Sequence, residues 1–142
     1  MTFVAKKSLG QNFLNDNKVI KIIAELGKID RNDFILEVGA GTGNLTEKIL
    51  EQSPKKLFVI EKDQRSALYL NEKFGDKINI FNEDMMKFEY ERYYRDKLII
   101  FGNLPYNIST QILAKWIRVK NLDIFCKKFI LMFQKEVADR IT

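Results

Sequence analysis

The sequence predicts an α/β domain built on a doubly wound, mostly parallel sheet. Three observations carry that expectation. Short apolar runs of strand length alternate with amphipathic runs of helix length, and each strand is too apolar to leave one face in water. The first strand, Phe34 to Val38, runs into Gly39-Ala40-Gly41-Thr42-Gly43, with glycine at every second position. Polar residues with chemistry to offer follow directly on the apolar runs, at the carboxyl ends of the predicted strands, where open α/β sheets hold their ligands.

Each element has a local reason. The chain starts with a basic, Gly-containing arm from Lys6 to Leu14 that has no clear period and reads as a loop that docks on something. Asp16 or Asn15 caps a helix in which Val19, Ile20, Ile22, Ile23 and Leu26 recur at helical spacing, and Gly27 stops it. After the glycine loop a helix runs from Asn44 to Leu50, ends before Pro54, and can be capped by Asn44 itself. Leu57 to Ile60 is the second strand and finishes on Glu61. A helix from Asp63 to Phe74 ends at Gly75, and Lys77 to Phe81 makes the third strand, followed by the acidic loop Asn82 to Met86. Glu89 to Arg95 reads as a surface helix and Lys97 to Phe101 as the fourth strand. Beyond the Gly102 to Thr110 loop, Ile108 to Val119 makes a helix with Ile112, Leu113 and Trp116 on its core face. Phe129 to Phe133 is the fifth strand, and a last helix starts at Gln134. No repeat, linker or low-complexity segment interrupts this pattern.

Composition narrows the chemistry. The chain has 142 residues, is 46% apolar, and reads as one domain with no run long enough to span a membrane. A single cysteine, Cys126, excludes an internal disulfide and suits a reducing cytosol, and the N-terminus lacks the apolar centre of a signal peptide, so a cytoplasmic location is expected. There is no histidine, which excludes Ser-His and Cys-His nucleophiles and imidazole metal sites. Chemistry here falls to carboxylates, amides, hydroxyls, backbone or a reactive cofactor. The net charge of +5 suits a polyanionic partner such as nucleic acid, although a well-solvated surface accounts for it equally.

The glycine spacing narrows the cofactor. A dinucleotide fingerprint places glycines at positions one, three and six, and position six here is Asn44. No Arg or Lys in the loop is placed to meet a pyrophosphate. A ligand with a ribose and a zwitterionic tail therefore fits better than a nicotinamide dinucleotide. Glu61 lies about 20 residues beyond the first glycine, the separation at which an acid at the end of the second strand accepts from ribose hydroxyls. Its alternative is a solvent-facing acid capping the helix that begins near Asp63. Asp84 can accept from the exocyclic amine of an adenine while Met85 packs on the base, or it can simply form a turn. In Gly102-Asn103-Leu104-Pro105-Tyr106 the proline fixes the turn and biases Leu104 to extended backbone, which aims Asn103 outward beside the flat ring of Tyr106.

Gln11-Asn12-Phe13-Leu14, Glu37-Val38-Gly39-Ala40-Gly41-Thr42-Gly43, Glu61, Asp84, Asn103 to Thr110 and Gln134 to Ala138 together resemble the ribosomal RNA adenine dimethyltransferases. Leu104 and Asn107 to Thr110 look most like the branch that acts on the bacterial small subunit, the KsgA type. The resemblance implies a Rossmann-like methyltransferase fold, S-adenosylmethionine as methyl donor, and adenine N6 of 16S rRNA in an immature small subunit as acceptor, with a monomeric enzyme. It implies Gln11, Asn12, Leu14, Gly39, Gly41, Gly43, Glu61, Asp84, Met85 and Asn103 as cofactor positions, and Asn103, Leu104, Pro105 and Tyr106 as the catalytic loop. Members of the family continue into further strands and a small helical domain, so this chain is expected to bind cofactor but to be impaired in catalysis. A large-subunit methyltransferase of the antibiotic-resistance type, which usually has Ile in place of Leu104, and a non-catalytic assembly factor are the alternatives.

Overall fold

Strands that are apolar on both faces need cover on both faces, and parallel pairing with helical crossovers supplies it. The structure, a computed structural model, describes residues 16–89, 97–103, 111, 114–116, 118 and 126–132. The arm with Gln11, Asn12 and Leu14, the loop residues Leu104, Pro105 and Tyr106, the C-terminal helix and nearly all of the expected Glu89 to Arg95 helix lie outside them. So does most of the helix from Ile108 to Val119. Strands β1 (Phe34–Val38), β2 (Lys56–Ile60), β3 (Asn79–Phe81), β4 (Leu98–Asn103) and β5 (Cys126–Met132) form one sheet in the order β3-β2-β1-β4-β5. All the pairings are parallel. The chain steps outward from β1 to β3 and then crosses back to lay β4 on the other side of β1. The strand order reverses between β1 and β4, and sheets of this kind hold ligands in the crevice outside the carboxyl ends of the strands at such a switch point.

Helices α1 (Asn17–Leu26), α2 (Asn44–Leu50) and α3 (Gln64–Phe74) cover one face. There Ile35, Leu57, Val59, Ile99 and Phe101 of the sheet pack with Ile20, Ile23, Leu45, Ile49, Leu70 and Phe74. On the other face Leu36, Val38, Phe58, Ile60 and Ile100 pack with Met85, Phe88 and Trp116, and the Trp116 ring stacks on Phe129 at 5.4 Å between centroids. The doubly wound, two-faced core expected from the sequence is the core observed.

The boundaries differ where local pattern and tertiary contact disagree. Asp16 caps α1 with its side chain, but of the expected apolar stripe only Ile20 and Ile23 reach the sheet, with Ala24 beside them. Val19, Ile22 and Leu26 are 43%, 58% and 56% exposed. Gly43, not Asn44, occupies the cap position of α2, and Asn44 is the first helical residue. Asp63 is the cap of α3. The third strand begins at Asn79, because Gly75–Lys77 continue from α3 as a short 3-10 turn. β4 runs on to Asn103, since Gly102 pairs with Val38 and Asn103 with Met132.

β5 begins at Cys126, not Phe129, and two lysines explain why. Cys126 pairs with Leu98 and Lys128 with the next residue, Ile99, so Lys127 is the extra residue of a bulge. Lys127 Nζ reaches Asp33 Oδ1 at 3.1 Å. Lys128 Nζ donates to the carbonyls of Leu26 and Gly27, at 3.4 and 3.2 Å, where the C-terminus of α1 leaves acceptors unfilled. Charge that reads as loop in the sequence is thus spent within a strand.

Candidate cofactor site

The site is assembled from backbone before any side chain enters. Gly39, Gly41 and Gly43 all take positive φ, 73°, 60° and 85°, a region costly for residues with a Cβ. Steric room matters separately at two of them. A Cβ on Gly39 would lie 3.0 Å from the carbonyl oxygen of Asn103, so glycine is what lets the ends of β1 and β4 close on each other at the crevice. At Gly43 a Cβ would meet Phe74 and Leu70 at 2.7 and 2.9 Å, so the absence of a side chain there serves the packing of α2 on α3. Hydrogen bonds from Gly39 N to Ile60 O and from Gly43 N to Ala40 O, at 2.9 and 3.0 Å, fix the two ends of the loop.

Two carboxylates sit beneath this loop. Glu61, 4% exposed, follows β2 and accepts from Gly41 N at 3.0 Å with Oε2 and from Asp63 N at 3.1 Å with Oε1. It is therefore not the solvent-facing acid of the alternative reading. Its two oxygens are the kind of acceptor that a pair of ribose hydroxyls requires. Glu37, 1% exposed, pairs in register with Val59 and Phe101 and so points to the face covered by the helices. Its donor is the Thr46 hydroxyl of α2, at 2.5 and 3.1 Å from the two carboxylate oxygens. Among the described residues neither acid has a cation partner.

Burial of charge without a counter-ion has a measurable consequence. Desolvation raises the Glu37 carboxyl to about 7, against the lowering effect of Thr46 and with a smaller push from the nearby Glu61. Burial likewise raises Glu61, partly offset by the Gly41 and Asp63 amides. A buried carboxyl whose pKa is shifted by desolvation, and which sits at the carboxyl edge of such a sheet, is a candidate site residue. In the sequence Glu37 stands only as part of the glycine motif. The signal for it was a lone acid inside an otherwise apolar strand.

The third and fourth strands bring the remaining expected positions to the same edge. Asp84 follows β3, accepts from Met86 N at 2.9 Å with Oδ1, and has Lys62 Nζ 3.6 Å from Oδ2. Met85 beside it is 2% exposed and belongs to the second core cluster, so its side chain is committed to the core. Asn82, which the sequence reading passed over, donates its amide to the carbonyls of Glu61 and Lys62 at 2.8 and 3.1 Å. Asn103 ends β4, half-buried, with its carbonyl against Gly39. The structure thus brings Gly39, Gly41, Glu61, Asp84 and Asn103 to one edge of the sheet.

Residues 2–142 match the ribosomal RNA adenine dimethylase family. The chain belongs to that family. Similarity to individual adenine dimethylase relatives agrees with it. The chain is 52% identical over 137 residues to ribosomal RNA small subunit methyltransferase A of Pelagibacter ubique, covering 96% of this chain and 52% of the relative. It is 35% identical to the mitochondrial dimethyladenosine transferase 1 of Drosophila pseudoobscura pseudoobscura, covering 96% and 45%. The chain spans about half the length of these curated relatives. Among solved structures it resembles a dimethyladenosine transferase from Plasmodium falciparum, with TM-score 0.76, 30% identity, and coverage of 92% of this chain and 46% of that one. It also resembles the 23S rRNA methyltransferase ErmE, with TM-score 0.76, 27% identity, and coverage of 89% and 50%. An S-adenosylmethionine-dependent methyltransferase from Clostridium acetobutylicum shares the fold at 22% identity and TM-score 0.60. The sheet of this family member accordingly has the Rossmann-like fold of these methyltransferases. Among its described residues no helix is long and apolar enough to cross a membrane.

Proposed function

We propose that this chain carries the S-adenosylmethionine site of an enzyme that transfers methyl groups to adenine N6 in small-subunit ribosomal RNA, acting on the immature subunit. The observation that carries the reading is the buried pair Glu37 and Glu61, without a cation partner among the described residues, beneath a loop of positive-φ glycines. When bound, the cofactor supplies a methyl group on a cationic sulfur, so no histidine or metal is needed to create an electrophile. Glu61 then accepts from the ribose hydroxyls with its carboxylate oxygens. Asp84 accepts from the cofactor's adenine amine. The glycine loop supplies backbone close to the tail.

The acceptor end rests on Asn103 at the β1/β4 crevice. The lone pair of adenine N6 is delocalised into the ring, and donation of its N–H groups to the Asn103 amide oxygen and the Leu104 carbonyl favours a more nucleophilic nitrogen. Tyr106 stacks on the extruded base, a contact worth about 1–3 kcal/mol in comparable single-strand sites. The small-subunit assignment, over a large-subunit one, is supported by the 52% identity to the small-subunit methyltransferase of Pelagibacter ubique against 27% to ErmE.

Calorimetric titration of the chain with S-adenosylmethionine and with NAD tests the cofactor. Saturable binding of the first alone is expected, and binding of NAD alone would replace the reading with a dinucleotide site. Methyl transfer from labelled cofactor by the enzyme to immature small subunits and to protein-free 23S rRNA tests the substrate. In that enzyme Asn103→Ala is expected to lower turnover far more than RNA affinity, because the amide acts once the base has reached the crevice. Labelling of 23S rRNA alone would overturn the small-subunit assignment.

A further inference from the structure

β3 is the short edge of the sheet, and its backbone ladder with β2 ends where Glu61 N donates to Phe81 O at 3.0 Å. Beyond that point β2 turns toward α3 and β3 turns toward Asp84, so no backbone pairing holds the two acid-bearing loops together. A side chain takes over. The Asn82 carboxamide has two N–H groups, and its nitrogen lies 2.8 Å from the Glu61 carbonyl and 3.1 Å from the Lys62 carbonyl. One hydrogen for each oxygen satisfies both, which a hydroxyl with its single hydrogen cannot do. An aspartate of the same shape has no hydrogen to give at neutral pH, and would set its negative oxygens against two carbonyl dipoles. The ion pair from Lys62 to Asp84 at 3.6 Å adds a weaker, half-exposed tie across the same gap.

We propose that Asn82 is the positioning residue that sets the Glu61 carboxylate against the glycine loop and fixes its spacing from Asp84, and so determines affinity for the nucleoside part of the cofactor. The inference rests on the cofactor reading above, but its first consequence does not involve the cofactor. Gly41 N donates to Glu61 Oε2, so the exchange rate of that one amide reports where the carboxylate stands. Loss of the two amide bonds frees the Glu61 and Lys62 backbone, and the carboxylate drifts from Gly41. Residues in the middle of β1 and β2, held by the full ladder, keep their protection.

The test uses Asn82→Ala and Asn82→Asp in the chain, with hydrogen exchange followed by NMR and calorimetric titration with S-adenosylhomocysteine. Gly41 is expected to exchange at least tenfold faster in Asn82→Ala and faster still in Asn82→Asp, while the Leu36 and Phe58 amides are unchanged. The dissociation constant for S-adenosylhomocysteine should rise five- to thirtyfold in the same order. Unchanged Gly41 exchange in both variants would overturn the proposal, as would a uniform loss of protection through β1 and β2, which marks a purely structural clip. If wild type shows a protected Gly41 that Asn82→Ala releases and yet binds no S-adenosylhomocysteine, the positioning of Glu61 stands and the cofactor reading falls.

Discussion

Buried acids stand at both ends of this sheet, and they are treated in opposite ways. At the amino end Asp33, 6% exposed, accepts from Asp30 N at 2.8 Å and is paired with Lys127 at 3.1 Å. At the carboxyl end Glu37 and Glu61 are as deeply buried, and their partners are a hydroxyl and backbone amides. The fold can thus bring a lysine to a buried carboxylate where one is needed. Where it does not, the cost of desolvation is left standing, and two raised carboxyl groups record it. The paired acid has its charge offset within the fold, whereas the two without a cation partner among the described residues have theirs offset only by hydrogen bonds.

The largest effect expected from this contrast is a pH dependence at the carboxyl end. The Glu37 carboxyl rises from 4.5 in the unfolded chain to about 7 in the folded one, so between those values the folded state holds the extra proton. Stability from this group is full below pH 4.5 and is lost as pH rises to about 7, a change of about 3 kcal/mol. Urea unfolding of wild type and Glu37→Gln at pH 5 and pH 8 should show the variant gaining on wild type at the higher pH. A constant difference would show that Glu37 is not charged and discharged across that window.

Next in size is Glu61→Gln, which keeps the shape and removes the charge. Cofactor affinity should fall by about 1.5–3 kcal/mol, and stability by about 1 kcal/mol, because the new amide nitrogen cannot accept and leaves the N–H of Gly41 or Asp63 without its partner. Calorimetry and thermal unfolding on the same sample separate the two, and a large drop in melting temperature with unchanged affinity would put Glu61 in the same class as Asp33. The smallest effect belongs to Lys127→Met, since the lysine is 49% exposed. About 1 kcal/mol of stability should be lost, less in high salt, with cofactor affinity untouched.

How much of this was legible in the sequence depends on the range of the interaction. The first strand, the second helix and the ends of the glycine loop obey local rules, and Phe34–Val38 and Asn44–Leu50 stand where those rules put them. Glu61 was legible because a strand–loop–helix–strand unit fixes its spacing from the loop. Its burial was not, since the amides of Gly41 and Asp63 that solvate it come from different elements. Lys127 and Lys128 look like loop residues until Asp33 and the end of α1 are brought beside them. Val19, Ile22 and Leu26 share a helical period with Ile20 and Ile23, but a period gives a face and not the width of the surface that covers it. Asn82 carried no local signal at all, because its acceptors lie 21 and 20 residues away.

The lysine contacts of β5 also set an order of events. They join residues 94 positions apart for Lys127 and Asp33, and 101 apart for Lys128 and Gly27. During synthesis α1 and β1 leave the ribosome early, and β2 can pair with β1, and β3 with β2, while the chain is still short. The end of α1 and the acid at the foot of β1 have to wait for β5. Contacts between residues so far apart in sequence close late, so the two lysines tie the foot of β1 and the end of α1 to β5 only after the strands between them have been made.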